Sequence, residues 1–388
     1  MKKSSSKVSA LVEQLAPSGI RAFFDLVMGM KDVISLGVGE PDFVTPWNIR
    51  EKAIYSLERG VTTYTSNKGM PELRAEISRF LKNRYGMEYH VHDEILITVG
   101  VSEGIDLAMR ALLNPGERVL VPEPAYVSYA PIVELAGGKA VLLKSDIKAG
   151  FKLTPSQVDE ACRKNKIKIL MIGYPANPTG ASYTKPELEE IARVVKKQDL
   201  LVVSDEIYDE LTYDFEHTPF AMLKDMKERV IYLNGFSKSY AMTGFRIGYA
   251  CGPKDIIAAM TKVHQYTILC ASITAQIAAQ EALKHGLKAV QEMKKEYNRR
   301  RRYIVGALNE IGLECHMPQG AFYVFPSIKG TGQKSLDFAK DLLDKKKVAL
   351  VPGVAFGPSC EGYVRISYAS SYMNLKEAIA RISSYLKG

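Results

Sequence analysis

Residues 167–180 read Ile-Lys-Ile-Leu-Met-Ile-Gly-Tyr-Pro-Ala-Asn-Pro-Thr-Gly, and residues 200–208 read Leu-Leu-Val-Val-Ser-Asp-Glu-Ile-Tyr. Each opens on a short, nearly unbroken apolar run, the pattern of a strand covered on both faces. Between them Thr184 and Glu187 stand three apart, a capping box that opens a helix running to Lys197. Strand, helix, strand in this order predicts a mainly parallel sheet with helices packed on it.

The pattern extends in both directions. Strands are expected over 95–99, 118–121, 140–143, 230–233 and 246–250, and a helix over 102–113 that ends before Asn114-Pro115-Gly116. After Pro253 the chain turns helical to about residue 311, and a smaller α/β unit follows with strands near 322–325, 348–351 and 363–367. The helical stretch 287–309 is the bridge between the two. The glycine-rich run Gly37-Val38-Gly39-Glu40-Pro41-Asp42 is too broken to be a domain and is expected to lie across the others. The expected division is therefore 1–45 packing with the small domain, 46–290 as the large domain and 291–388 as the small one.

Composition narrows the function classes. With 388 residues, 46% hydrophobic and 24% charged, the chain has average globular usage, which excludes a disordered, collagen-like or coiled-coil protein. No apolar window is long enough for a membrane span, and the Lys/Ser-rich first ten residues lack a signal-peptide core, so a cytoplasmic location is expected, with no membrane partner. Five scattered cysteines without a C-x-x-C pair predict reduced, structural thiols and no metal site. The net charge of +9 permits a polyanion partner without requiring one. The basic run Lys294-Lys295 followed by Arg299–Arg302, interleaved with Glu292 and Glu296, reads as a solvated helix face with i,i+4 charge pairs, and no nucleic-acid partner is expected.

In an open parallel sheet, ligands gather at the carboxyl ends of the strands. Lys238, between two predicted strands in Ser237-Lys238-x5-Gly244-Phe245-Arg246, can form an imine, although a lone lysine is ordinarily a surface charge. Asp205 ends an apolar run, where a carboxylate needs a cation or good donors, and a helix N-cap is its competing role. Tyr208 and Asn177 can reach a phenolic oxygen, the latter from a stretch that also suits an ordinary turn. Arg246, Ser237 and the helix start at Val101 and Ser102 offer an anion seat, and Tyr126 can stack on a flat ring.

In these motifs, together with Tyr363-Val364-Arg365-Ile366-Ser367, the sequence resembles the fold-type I, pyridoxal-phosphate-dependent class I/II aminotransferases over essentially its full length. It looks most like the branch holding aspartate, aromatic, alanine and N-acetyl-diaminopimelate aminotransferases. The resemblance implies that Lys238 holds pyridoxal 5'-phosphate as an internal aldimine, that Asp205 pairs with the ring nitrogen, and that Asn177 and Tyr208 bind the phenolic oxygen. Ser237, Arg246 and the backbone of Val101 and Ser102 would hold the phosphate, joined by Tyr64 of a partner subunit, with Tyr126 on the ring face. Arg365 would clamp the substrate α-carboxylate with help from Asn177 and the backbone of Gly39. The implied reaction transfers an amino group from an amino acid to a 2-oxo acid, most readily 2-oxoglutarate, in a homodimer with shared sites. A carbon–sulfur β-lyase would use the same contacts, and a non-catalytic regulator is the remaining class.

Two departures from the family bear on the substrate. The distal-carboxylate arginine of the aspartate subgroup has no counterpart between Arg246 and Arg299, and the lysine of a second subgroup has none in Gly100-Val101-Ser102-Glu103. A pocket taking aromatic or aliphatic side chains alongside glutamate is expected instead, with residues 262–267, Phe24, Phe322 and Tyr323 as its available groups. The segment around Ile20 and Arg21 is expected to close over the substrate.

Overall fold

The computed structural model describes residues 7–17, 19–20, 30–145 and 147–388; Arg21 and Phe24, named above, lie outside the described residues. Strand β1 (Ile34–Ser35) is followed by the seven strands of the main sheet: β2 (Ile95–Thr98), β3 (Arg118–Glu123), β4 (Lys139–Lys144), β5 (Ile167–Gly173), β6 (Leu201–Asp205), β7 (Val230–Gly235) and β8 (Gly248–Cys251). Their spatial order is β2-β8-β7-β6-β5-β3-β4. All neighbours pair in parallel except those of β8, which is antiparallel to both β2 and β7. The loop from β7 to β8 carries only a short 3-10 turn, Thr243–Phe245, so no helix returns the chain to the opposite edge and β8 must run back. The loop holding Lys238 follows β7 directly and so lies at its carboxyl end, the end shared by the parallel strands.

β2 and β7 are buried at every position, as the continuous apolar runs predict for strands covered on both faces. The Lys185–Lys197 helix starts where the capping box predicts: Glu187 Oε2 accepts the Thr184 N–H at 2.7 Å. Gly248 has a steric reason to be glycine, because a Cβ there would lie 2.9 Å from the backbone of Gly100 and Val101. The close approach brings the turn after β2 against the β7–β8 loop, which matters for the site.

The region expected to be a single strand near 348–351 is two. β10 (Val348–Ala349) pairs in parallel with β1, whereas β11 (Val351–Pro352) pairs with β12 (Val364–Ser367) in a three-stranded sheet completed by β9 (Tyr323–Val324). Leu350 between them switches the chain from one sheet to the other. The pairing of β1 with β10 ties the segment ahead of residue 45 to the carboxyl-terminal part of the chain.

The helix Leu287–Glu310 corrects one expectation. Its arginines are not uniformly solvated: Arg299 and Arg302 are exposed, but Arg300 and Arg301 are buried. Arg300 Nη1 donates to both Asp42 carboxylate oxygens at 2.8–2.9 Å, and Arg301 forms a two-pronged pair with Asp214. The i,i+4 pair with Glu296 is present at Arg300, yet tertiary partners decide which arginines turn inward. All five cysteines are free, and no group of side chains suited to a metal occurs among the described residues. Arg300→Ala is expected to lower stability by about 2 kcal/mol, because Asp42 and Glu296 lose a buried counter-charge. Arg299→Ala, at an exposed pair, should leave the urea midpoint unchanged.

Candidate active site

The strand ends of the main sheet converge on one cavity of about 740 Å³. From β2 comes the turn with Val101 and Ser102; from β3, Tyr126 and Tyr129; from β5, Asn177; from β6, Asp205 and Tyr208; and from β7, Ser237 and Lys238. Arg246 closes the side of the β7–β8 loop. Gly39 and Glu40 enter from the segment after β1, and Tyr323 and Arg365 from the three-stranded sheet. Eleven of the twelve residues singled out in the sequence therefore line one space. Tyr64 does not: it is 82% exposed and is not among the residues lining this cavity.

Lys238 Nζ donates to the Gly39 carbonyl at 2.6 Å. Burial pulls its pKa down to about 8, with Glu40 opposing that shift and Arg365 and Arg246 reinforcing it. An amine in this state is a nucleophile and base near neutral pH. Asp205 is buried, and desolvation pushes its carboxyl up to about 6 despite hydrogen bonds from Tyr129 Oη at 2.7 Å and the Ile207 N–H at 3.3 Å. Asp205 is thus a carboxylate that would gain from an added cation.

Arg365 is buried in the opposite wall. Its Nη1 donates to Asn177 Oδ1 at 2.8 Å, its Nη2 donates to the Gly37 carbonyl, and its Nε meets no partner among the described residues. The guanidinium packs on the Tyr323 ring at 4.6 Å and the Phe356 ring at 5.1 Å. Among the described residues no carboxylate hydrogen-bonds it, so it suits a carboxylate ligand. On the floor, a Cβ at Gly100 (φ +73°) would come 2.9 Å from Arg246 Nη2, so the absent side chain leaves a notch between the helix start and the guanidinium.

Tyr129 was missing from the sequence-derived set, and Tyr323 was named there only as an aromatic available to the pocket. Tyr129 holds Asp205, and its three-residue spacing from Tyr126 just after β3 was a usable signal. Tyr323 shares a 2.8 Å hydroxyl contact with Tyr208 while covering Arg365; its distance from the site was not accessible from sequence. Phe322 lies behind Tyr208, edge to face at 5.5 Å. The stretch 262–267 divides: His264 is fully buried against Glu103, and Tyr266 is 87% exposed, and neither reaches this chain's own cavity. Ile20 lines the cavity mouth.

The family described as aminotransferase class I and II matches residues 31–382. An aspartate aminotransferase of Pyrococcus abyssi is 46% identical over 98% of both chains. Aromatic-amino-acid aminotransferase 2 of Thermococcus litoralis is 42% identical, again over 98% of both. Among solved structures, the aspartate aminotransferase of Thermus thermophilus with maleate superposes with a TM-score of 0.93 at 35% identity, covering 98% of this chain and 99% of that one. No helix among the described residues is long and apolar enough to cross a membrane.

The raised carboxyl of Asp205 has a thermodynamic consequence. The folded chain takes up that proton at about pH 6, whereas an unfolded chain does so near the usual 3.8, so ionisation destabilises the fold. The penalty is absent below pH ~4, grows through about pH 6 and is full above it. Asp205→Asn is therefore expected to stabilise the cofactor-free protein by roughly 2–3 kcal/mol at pH 7–8 and by nothing at pH 3.5–4, as read by thermal unfolding.

Proposed function

This chain belongs to the class I and II aminotransferases, pyridoxal-phosphate-dependent enzymes of amino-acid transamination, and we propose that the reaction runs in the Lys238 cavity with 2-oxoglutarate as the acceptor. The observation that carries the proposal is the convergence in one cavity of a lysine with a lowered pKa, a buried carboxylate with no cation hydrogen-bonded to it, and a buried arginine with no carboxylate hydrogen-bonded to it, among the described residues. These are the complements of a carbonyl, a pyridinium and an α-carboxylate.

The residues present fit the cofactor. Asp205, unfavourably ionised alone, would gain the pyridinium as its cation, with Tyr129 keeping the carboxylate oriented. Tyr208 and Asn177 would face the phenolic oxygen, and Tyr126 the ring. The notch at Gly100, with the N–H groups of Val101 and Ser102, Ser237 and Arg246, would take the phosphate. Bound there, pyridoxal phosphate supplies the electron sink that makes an amino acid's α-proton removable.

The protein's own part is positioning and proton transfer. Arg365 holds the substrate α-carboxylate with its guanidinium, with Asn177 and the Gly39 backbone alongside, which fixes the α-carbon relative to Lys238. Lys238 Nζ would bind the cofactor and, when free of it, would take the substrate's α-proton and deliver it to the cofactor carbon on the other side of the nitrogen, a 1,3-shift. The aromatic wall of Tyr126, Tyr208 and Tyr323 excludes water and favours aromatic and aliphatic side chains beside glutamate.

Tyr64 fits a homodimer in which each copy completes the other's site. It is exposed, as are Tyr266 and Ile268, and its loop is tied to residue 269 by a 2.8 Å bond from Asn67 to the Leu269 carbonyl. A second copy would cover this face. The segment 1–45 with the small domain, 46–290 and 291–388 remain the proposed division, supported by the β1–β10 pairing and the long bridging helix.

The deciding test is the visible spectrum of the protein loaded with pyridoxal phosphate, before and after L-glutamate. Loss of the yellow band to a pyridoxamine form is expected, and release of pyruvate and ammonia from a cysteine conjugate without an acceptor would favour a lyase instead. Lys238→Ala should abolish turnover. Mixed with Tyr64→Ala, it should recover activity above either parent, since one intact site forms in each mixed dimer, about a quarter of all sites in an equimolar mixture; no recovery would remove the shared-site dimer.

A further inference from the structure

The first turn of the Gly100–Leu112 helix is held from behind by a buried pair that the reaction above does not use. Glu103 Oε2 accepts the Val99 N–H at 2.5 Å, and Glu103 Oε1 lies 2.6 Å from His264 Nδ1. His264 sits near the end of the Lys254–Thr267 helix, fully buried, with Nε2 meeting no partner among the described residues. A side chain buried at that cost is held by its one good contact.

The contact has a geometric effect on the cavity floor. A helix start carries several unpaired N–H groups. Glu103 takes the one at Val99, which leaves those of Val101 and Ser102, on the cavity-lining side, free for an anion. A carboxylate in this first turn would also repel a phosphate if it swung toward the cavity. The His264 contact draws it the other way, toward the interior.

We propose that Glu103 and His264 are positioning residues that aim the turn at 99–102 toward the cofactor's phosphate and keep the Glu103 carboxylate out of that seat, so that the pair sets the preference for pyridoxal phosphate over unphosphorylated pyridoxal. This rests on the phosphate lying at the helix start, as proposed above. It gives a role to a stretch, 262–267, whose histidine touches neither cofactor nor substrate.

The test compares dissociation constants of pyridoxal phosphate and of pyridoxal for the cofactor-free dimer and four variants. Glu103→Ala and His264→Phe should each weaken pyridoxal phosphate about tenfold while leaving pyridoxal within about twofold. Glu103→Gln, whose carbonyl still accepts the Val99 N–H, should retain the preference. Arg246→Met is the control for the seat itself and should lose it. Equal weakening of both ligands in Glu103→Ala and His264→Phe, or an unchanged preference while Arg246→Met loses it, overturns the proposal. An unchanged preference in Arg246→Met as well overturns the phosphate seat beneath it. Should His264→Phe fail to fold, the contrast of Glu103→Ala with Glu103→Gln decides alone.

Discussion

A buried lysine amine with no carboxylate hydrogen-bonded to it among the described residues is the constraint around which this structure is arranged. Lys238 Nζ is bonded to the Gly39 carbonyl, and burial holds its pKa near 8. Such a group is tolerated only where the surrounding fold supplies the stability that the buried amine removes. Here that support is the main sheet, whose continuous apolar strands carry the β7–β8 loop at their edge. The antiparallel return of β8 and the side-chain-free contact of Gly248 with the turn after β2 bring Lys238 and the helix start to the same end.

The segment at 37–42 joins the parts of the molecule. Gly37 accepts from Arg365, Gly39 from Lys238, and Asp42 from Arg300, so three buried or half-buried cations from three elements converge on six residues. Two of the acceptors are backbone carbonyls, which cannot titrate away. The third, Asp42, fastens the segment to the long helix. The position of the cavity's upper wall thus depends on long-range pairs, and β1 with β10 sets the rest.

Charge in the cavity is incomplete in a patterned way. Among the described residues no cation hydrogen-bonds Asp205 and no carboxylate hydrogen-bonds Arg365, while Tyr129 and Tyr323 hold each in place without neutralising it. Neutral aromatic supports preserve the appetite of both groups for a ligand charge, where a salt bridge would satisfy it internally. Under the proposed function, an amino acid and a phosphorylated pyridine would together bring the missing charges.

The strands, their order of occurrence and most of the site were legible in the sequence, for a local reason. A strand buried on both faces needs an unbroken apolar run, and polar groups that follow such runs fall at one sheet edge whatever the rest of the chain does. Lys238, Asp205, Tyr208 and Asn177 were found this way, and Arg365 by its motif. Tertiary structure alone decided the others. Whether Arg300 and Arg301 face water or Asp42 and Asp214, whether His264 faces a cavity or Glu103, and whether Tyr323 reaches Tyr208 all turn on pairs more than eighty residues apart. No local period encodes such a distance, because burial of a polar side chain is set by the partner that meets it and not by the segment that carries it.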